Sequence, residues 1–339
     1  MPVASLKNVA ESSGVSIATV SQVLSGGKSN IRVSAATRRK VLSAARELNY
    51  HPNIMARGLR GGKTQTVGIL FSLKGPHSPT EMVQMIARKV HGHHYVSQVS
   101  DTLCETRVVQ RVLRDYIRRG VDAVVIQLML DMRIEEFEDL FSAFKAVVLI
   151  RSIPADTTAD QIVLARQRAI YDAVDHFVDA GRKRPMIFVP PSPREEKIEP
   201  FLQRLQERGL VYQEEPTIFY QRKSAVTNLA DVAWDALETR CPDSVPFDAL
   251  LCGTDETAIA AYRWLAKRDK QVPRDVAVVG FNDSTYAKYL MPALASINRQ
   301  DEEVAQLVEK MLFDRLENPD LPPQRKDVHM TFIPRVSAG

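Results

Sequence analysis

Ten lysines and arginines stand among the first 64 residues: Lys7, Lys28, Arg32, Arg38, Arg39, Lys40, Arg46, Arg57, Arg60 and Lys63. Only two acids, Glu11 and Glu47, oppose them. This segment therefore carries +8 in a chain of net charge +4, which leaves −4 for the rest. A basic end on a mildly acidic remainder can neutralise phosphates, so double-stranded DNA is the expected polyanion. The plainer reading, a solvated basic helix face, is disfavoured by the helical pattern of the same segment. No enzymatic constellation competes, since GxSxG, HExxH and CxxC are all missing. Gly61-Gly62-Lys63-Thr64 has the ending of a phosphate loop, but the first glycine of that pattern falls on Arg57 and the segment precedes a strand. His91, His93 and His94 surround Gly92 at a helix end and read as a solvated turn rather than a metal set. Cys104, Cys241 and Cys252 form no disulfide framework or zinc spacing and are expected to be structural. No catalytic role and no cofactor is called for.

The basic segment has elements able to aim such groups. Ser5 can cap a first helix carrying Leu6, Val9 and Ala10, and Gly14 can end it in a left-handed turn. Ser16 can cap a second helix, Ile17 to Leu24, with Val20, Val23 and Leu24 apolar on one face and small polar residues on the other. Two short helices joined by Gly-Val-Ser make a helix-turn-helix, whose second helix enters the major groove with its N-terminal residues leading. Ser34 can cap a third helix bearing Val41, Leu42, Ala45 and Leu48, which stops near Tyr50-His51-Pro52.

The 339 residues leave room for about two domains, and 45% hydrophobic with 25% charged residues suits a globular chain. No apolar run approaches the roughly 20 residues of a spanning helix, and the N-terminus lacks a signal-peptide core. A cytoplasmic chain with no membrane partner is expected. Strand-length apolar runs recur between helical stretches at Thr66 to Leu73, Tyr95 to Val99, Ala123 to Leu128, Val147 to Ile150, Met186 to Val189, Ala249 to Cys252 and Val276 to Phe281. This alternation argues parallel sheet covered by helices. Trp234 and Trp264 lie in helical patterns and read as core.

The strings SLKNVAESSGVSIATVSQVLSGG and VSAATRRKVLSAARELNYHPNIMARGLRGGKTQTVGIL resemble the lactose/galactose repressor (LacI/GalR) family of bacterial transcriptional regulators. Arg119-Gly120-Val121-Asp122-Ala123, Gly253-Thr254-Asp255-Glu256, Val272-Pro273-Arg274-Asp275-Val276 and Val279-Gly280-Phe281-Asn282-Asp283 extend the resemblance over nearly the whole chain. It implies an all-α helix-turn-helix head and an α/β body of the type I periplasmic-binding-protein fold, with two doubly wound subdomains. The corresponding divisions are a DNA-binding domain at 1–52, a hinge helix and linker at 53–64, and an effector-binding and dimerisation domain at 65–339. Subdomain one is placed at about 65–163 plus 296–327, and subdomain two at about 164–295 plus 328–339.

Carried over by position, the resemblance puts Ile17, Ala18 and Gln22 where the family reads bases. Gln22 stands where Arg is frequent, and glutamine suits adenine where arginine suits guanine. Ser16, Thr19, Ser21, Asn30 and Asn53 suit phosphates. Ala56, Arg57 and Leu59 belong to the hinge, with Leu59 the candidate wedge between base pairs in the minor groove. The resemblance also implies a repressor that binds a pseudo-palindromic operator as a homodimer, with dimer the expected limit because no leucine-rich tail follows. A small effector is expected in the cleft between subdomains. The competing reading is a cytosolic solute-binding protein or sugar-processing enzyme whose N-terminal helices only mediate association.

The candidate effector residues depart from the family's usual pattern. Arg151 stands for a common Asp, Lys197 for an Arg, Thr254-Asp255 for an Asn-Asp pair and Asn282 for an Asp. Arg166 replaces a polar or acidic residue, and Ser72, His77 and Ser78 could add donors from the opposite wall. Such a cleft suits an anion, a sugar phosphate or sugar acid, better than a neutral sugar. The alternative is a decayed pocket whose cations pair with local acids such as Asp255 and Glu199.

Overall fold

The computed structural model describes residues 4–25, 33–50, 64–73, 80–128, 132–191, 194–221 and 228–339. Two compact units emerge, Met1–Thr64 and Gln65–Gly339.

In the first unit, α1 (Leu6–Ser13) is capped by Ser5 in a reciprocal box with Asn8, and Gly14 closes it at φ 67°. That left-handed angle is cheap only for residues such as glycine. Helix α2 is Ile17–Ser25 and α3 is Ala35–Glu47, the latter capped by Ser34. Val9, Ala10, Val20, Val23, Val41, Ala44 and Ala45 make one small core, with Leu6, Leu24 and Tyr50 packed on it.

In the second unit the described strands and helices run β1 (Thr66–Phe71), α4 (Thr80–Gly92), β2 (Val96–Asp101), α5 (Thr106–Arg118), β3 (Ala123–Gln127), β4 (Ala146–Arg151) and β5 (Asp160–Ala165). They continue as α6 (Gln167–Asp179), β6 (Pro185–Val189), α7 (Arg194–Glu207), β7 (Thr217–Phe219), α8 (Leu229–Arg240), β8 (Ala249–Cys252) and α9 (Asp255–Ala266). The chain closes with β9 (Ala277–Asn282), β10 (Ala295–Asn298), α10 (Asp301–Glu317), β11 (Arg325–His329) and β12 (Thr331–Ile333).

These strands form two sheets, β11-β5-β4-β3-β1-β2 and β12-β10-β9-β8-β6-β7. All neighbours are parallel except β12 on β10. Both sheets reverse their winding direction once, between β1 and β3 and between β6 and β8, the crevice position at which doubly wound sheets bind ligands. The central strands β1, β3, β4, β8 and β9 are almost wholly apolar, as expected of parallel strands covered by helices on both faces. All seven apolar runs read from the sequence are strands, shifted by a residue or two.

The chain passes between the sheets three times: at Ala165–Gln167, at Asn298–Asp301 and at His329–Thr331. Each passage lies two or three residues later than the sequence placed it, since Leu164, Ala165, Val328 and His329 pair in the first sheet and Ser296 to Asn298 in the second. Helix α6 packs on α7 and β12 of the second sheet, and α10 packs on α4 and β4 of the first.

Candidate nucleic-acid interface and ligand cleft

On α2 the buried stripe is Val20 and Val23, while Ser16, Ile17 and Ala18 are exposed and Thr19, Ser21 and Gln22 half-buried. Ile17 keeps 45% of its surface in solvent although it is a large apolar residue. A core role for Ile17 is therefore excluded within this unit. The Thr19 amide donates to Ser16 Oγ at 3.2 Å, and the two hydroxyls lie 2.9 Å apart. Ser16 thus satisfies the open end of α2 and fixes the entry of the exposed turn. Asn30, Asn53, Ala56, Arg57 and Leu59 lie outside the described residues, as do His77 and Ser78 of the body.

The body holds a cleft where the two sheets and all three passages meet. Arg151 at the end of β4, Arg166 in the first passage, Lys197 on α7 and Asn282 at the end of β9 all line it. These are four of the residues picked from the sequence. Arg299 in the second passage, Met330 in the third, and Glu196 beside Lys197 also line it and were not anticipated. The space left between these side chains is about 30 Å³, room for one or two waters.

Charge dominates the lining. Arg166 Nη1 pairs with Glu196 Oε2 at 2.6 Å, both side chains being nearly buried. Arg166 Nη2 donates to Ser152 Oγ at 2.7 Å. The Glu196 carboxyl is drawn down against its own burial by Arg166, Ser152 and Lys197. Arg299 makes a two-pronged pair with Asp301, at 2.6 and 2.7 Å. Lys197 is fully enclosed; its Nζ donates to the Gly253 carbonyl at 2.6 Å and sits 3.8 Å from the centre of the Phe281 ring. Burial, reinforced by Arg166, pushes the ammonium down to about 7. Arg151 donates through Nε to the Ile153 carbonyl at 3.1 Å, and burial lowers its pKa.

Three expected ligand residues do not line the cleft. Ser72 is buried and accepts the Cys104 thiol at 2.9 Å. Thr254 caps α9 in a reciprocal box with Thr257. Asp255 is wholly buried, its Oδ1 accepting Ser296 Oγ at 2.6 Å and its Oδ2 accepting the Ser284 amide at 2.6 Å and the Ser284 hydroxyl. It ties α9 to β10 and to the loop after β9, and a side chain at Gly280 would collide with it. The local pairing expected of a decayed pocket exists, but its acids are Glu196 and Asp301 rather than Asp255 and Glu199. His93 is also more than a solvated turn: it stacks on Phe313 at 3.7 Å and meets Glu309 at 3.0 Å, docking the end of α4 on α10. Trp264 is core, while Trp234 is half-buried beneath Arg263 and Lys267. No helix among the described residues is long and apolar enough to cross a membrane.

Comparison with known proteins agrees with both units. Residues 5–53 match the family model of bacterial regulatory proteins, lacI family, and residues 174–338 match that of the periplasmic binding protein-like domain. The ribose operon repressor of Escherichia coli K12 is 25% identical over 99% of this chain and 100% of its own. The regulator RegA of Clostridium saccharobutylicum is 27% identical over 94% of both. Catabolite control protein A of Priestia megaterium is 26% identical over 90% of both. Among solved structures, the lac repressor dimer bound to operator and the anti-inducer ONPF superposes with TM-score 0.83 at 21% identity, covering 99% of each chain. A LacI-family regulator from Silicibacter pomeroyi gives 0.82 at 24%, again over 99% of each. With a helix-turn-helix head and a periplasmic-binding-protein-like body, both matched by their family models, the chain belongs to the LacI family of bacterial regulatory proteins and is a DNA-binding transcriptional regulator, not an enzyme.

Proposed function

We propose that the protein is a repressor that binds a pseudo-palindromic operator as a homodimer and answers to a small anionic effector in the body's cleft. The operator reading rests on α2, where the turn from Ser16 to Ala18 is exposed while Val20 and Val23 anchor the helix. Ile17 and Ala18 offer apolar contact to a thymine methyl, and Gln22 offers a bidentate partner for adenine. Dimerisation has support in Val96 and Val99, apolar and exposed on the edge strand β2, and in Tyr289 and Met291, exposed after β9. An uncovered apolar edge of this kind invites a second chain.

One observation carries the anionic reading: among the described residues, four cations, Arg151, Arg166, Lys197 and Arg299, line a single cleft against one lining carboxylate, Glu196. Arg166 and Arg299 are paired with Glu196 and Asp301, but neutral sugar recognition would leave Arg151 and Lys197 in the cleft without a counter-ion among the described residues. The residual volume is small, so an effector enters only as the two subdomains part, and the passages that line the cleft are where such a hinge must bend. A thermal-shift screen of the full chain against neutral sugars, sugar phosphates and sugar acids tests this, since a ligand of the folded state raises the melting point. The charged forms should stabilise. A shift with neutral sugars alone, undiminished in Arg151→Ala and Lys197→Ala, would contradict the reading.

A further inference from the structure

The cleft's cations are incompletely bonded in a patterned way. Arg151 Nη1, Arg166 Nε and Arg299 Nη1 are buried donors that meet no acceptor among the described residues, and the Arg299 residue retains only 5% of its surface. Lys197 Nζ, when protonated, has three hydrogens and makes one hydrogen bond, to Gly253 O, with no carboxylate in salt-bridge reach among the described residues. Buried donors of this kind are costly unless something accepts from them. They come from different elements, the end of β4, two interdomain passages and α7, and all border the same small space.

Charge sets how much negative charge the space can take. The lining cations number four when Lys197 is protonated; Glu196 offsets one and Asp301, bonded to Arg299, another. Among the described residues the cleft is then at +2, and at +1 when Lys197 is neutral. We infer, building on the anionic reading above, that the cleft is matched to a compact dianion of the phosphate-monoester kind, and that Lys197 determines this specificity by taking up a proton as the dianion enters. The free protein tolerates the buried amine because much of it is unprotonated near neutrality, and the second negative charge of the ligand restores the ammonium. A monoanion finds its match without that proton.

The groups facing Lys197 are Arg166 from the first passage, Arg299 from the second, Glu196 on its own helix and Asp255 on α9. Of the two carboxyls, Glu196 is drawn down by Arg166 while Asp255 is pushed up to about 6 by burial. Above about pH 7.5 Asp255 stays ionised, so the proton uptake there reports on Lys197.

The test is isothermal titration calorimetry on the full chain with sulfate, inorganic phosphate and acetate, in buffers of differing ionisation enthalpy. Sulfate remains a dianion throughout, so any proton taken up with it belongs to the protein. At about pH 8 sulfate and phosphate should bind with uptake approaching one proton, and affinity should fall up to about tenfold per pH unit above that. Acetate should bind more weakly and without uptake. Lys197→Arg should keep the sites for dianions yet lose the uptake and the pH slope, and Arg299→Met should lose dianion binding while still unfolding cooperatively. Dianion binding with no proton uptake, uptake persisting in Lys197→Arg, or equal affinity for acetate would overturn the inference while leaving an anionic effector standing. Failure of the wild-type chain to bind any anion at any pH would overturn both.

Discussion

The hydroxyl of Thr285 donates to Glu81 Oε1 at 2.5 Å, and these residues stand on opposite subdomains, Glu81 in the first turn of α4 and Thr285 in the loop after β9. The bond lies in the exposed rim of the cleft, so it holds the two lips together without contributing to either core. Thr285→Val should cost the closed form about 1 kcal/mol, lowering anion affinity roughly fivefold. Chemical denaturation should be nearly unchanged. Calorimetry showing unaltered affinity would remove the bond from the closure mechanism.

The Arg166–Glu196 pair is buried, and removing one partner strands the other. Glu196→Ala should destabilise the unliganded body by about 3 to 5 kcal/mol, read from urea denaturation. Added phosphate or sulfate should recover part of the loss, because the ligand then supplies the missing negative charge. A loss below about 0.5 kcal/mol, of the size usual for an exposed pair, would show the pair to be solvated.

Asp255 gives a pH dependence of definite sign. Burial raises its carboxyl to about 6, against the hydrogen bonds from Ser284 and Ser296. A carboxyl raised on folding stabilises most when protonated. Its contribution is therefore full below the unfolded value near 4 and lost as pH rises through about 6, a loss of about 3 kcal/mol. Asp255→Asn should flatten stability between those values, at the cost of the Ser284 amide's acceptor. An unchanged pH profile would contradict the assignment.

Gln22→Ala should relax preference at one base pair per half-site, costing about 1 to 3 kcal/mol if the contact is bidentate. Leu59→Ala should weaken specific binding more than nonspecific binding, because a wedge acts only on a kinked site. Selection from a randomised site library reads both effects, and an unaltered preference in the Gln22 variant would remove it from the reading set.

The head was legible because its signals are local: Ser5, Ser16 and Ser34 at helix starts, Gly14 at a helix end, and apolar residues at helical spacing. Seven of the body's strands, β2 at a sheet edge among them, were legible as apolar runs, whereas β5, β7, β10, β11 and β12 were not. β11 buries only Val328, and β7 is three residues long, so neither shows a hydrophobic pattern. The cleft was half legible. Arg151, Arg166, Lys197 and Asn282 sit at ends of recognised elements, but Arg299 follows β10, a four-residue strand beginning just after Leu294. Asp255 was misplaced because its partners, Ser284 and Ser296, lie 29 and 41 residues away. A carboxylate in a motif shows its charge in sequence; which serines will occupy it is decided only by the folded sheet.

The central claim is specific DNA binding under control of an anion in the cleft. Filter binding of genomic fragments by the full chain, titrated with salt, tests it most directly. Selected fragments should be retained far more tightly than bulk DNA, log affinity should fall linearly with log salt by about 0.9 per phosphate contacted, and a dianion that binds the cleft should shift the specific isotherm and not the nonspecific one. Retention no better than bulk DNA, or a specific isotherm that no cleft-binding anion moves, would contradict the account.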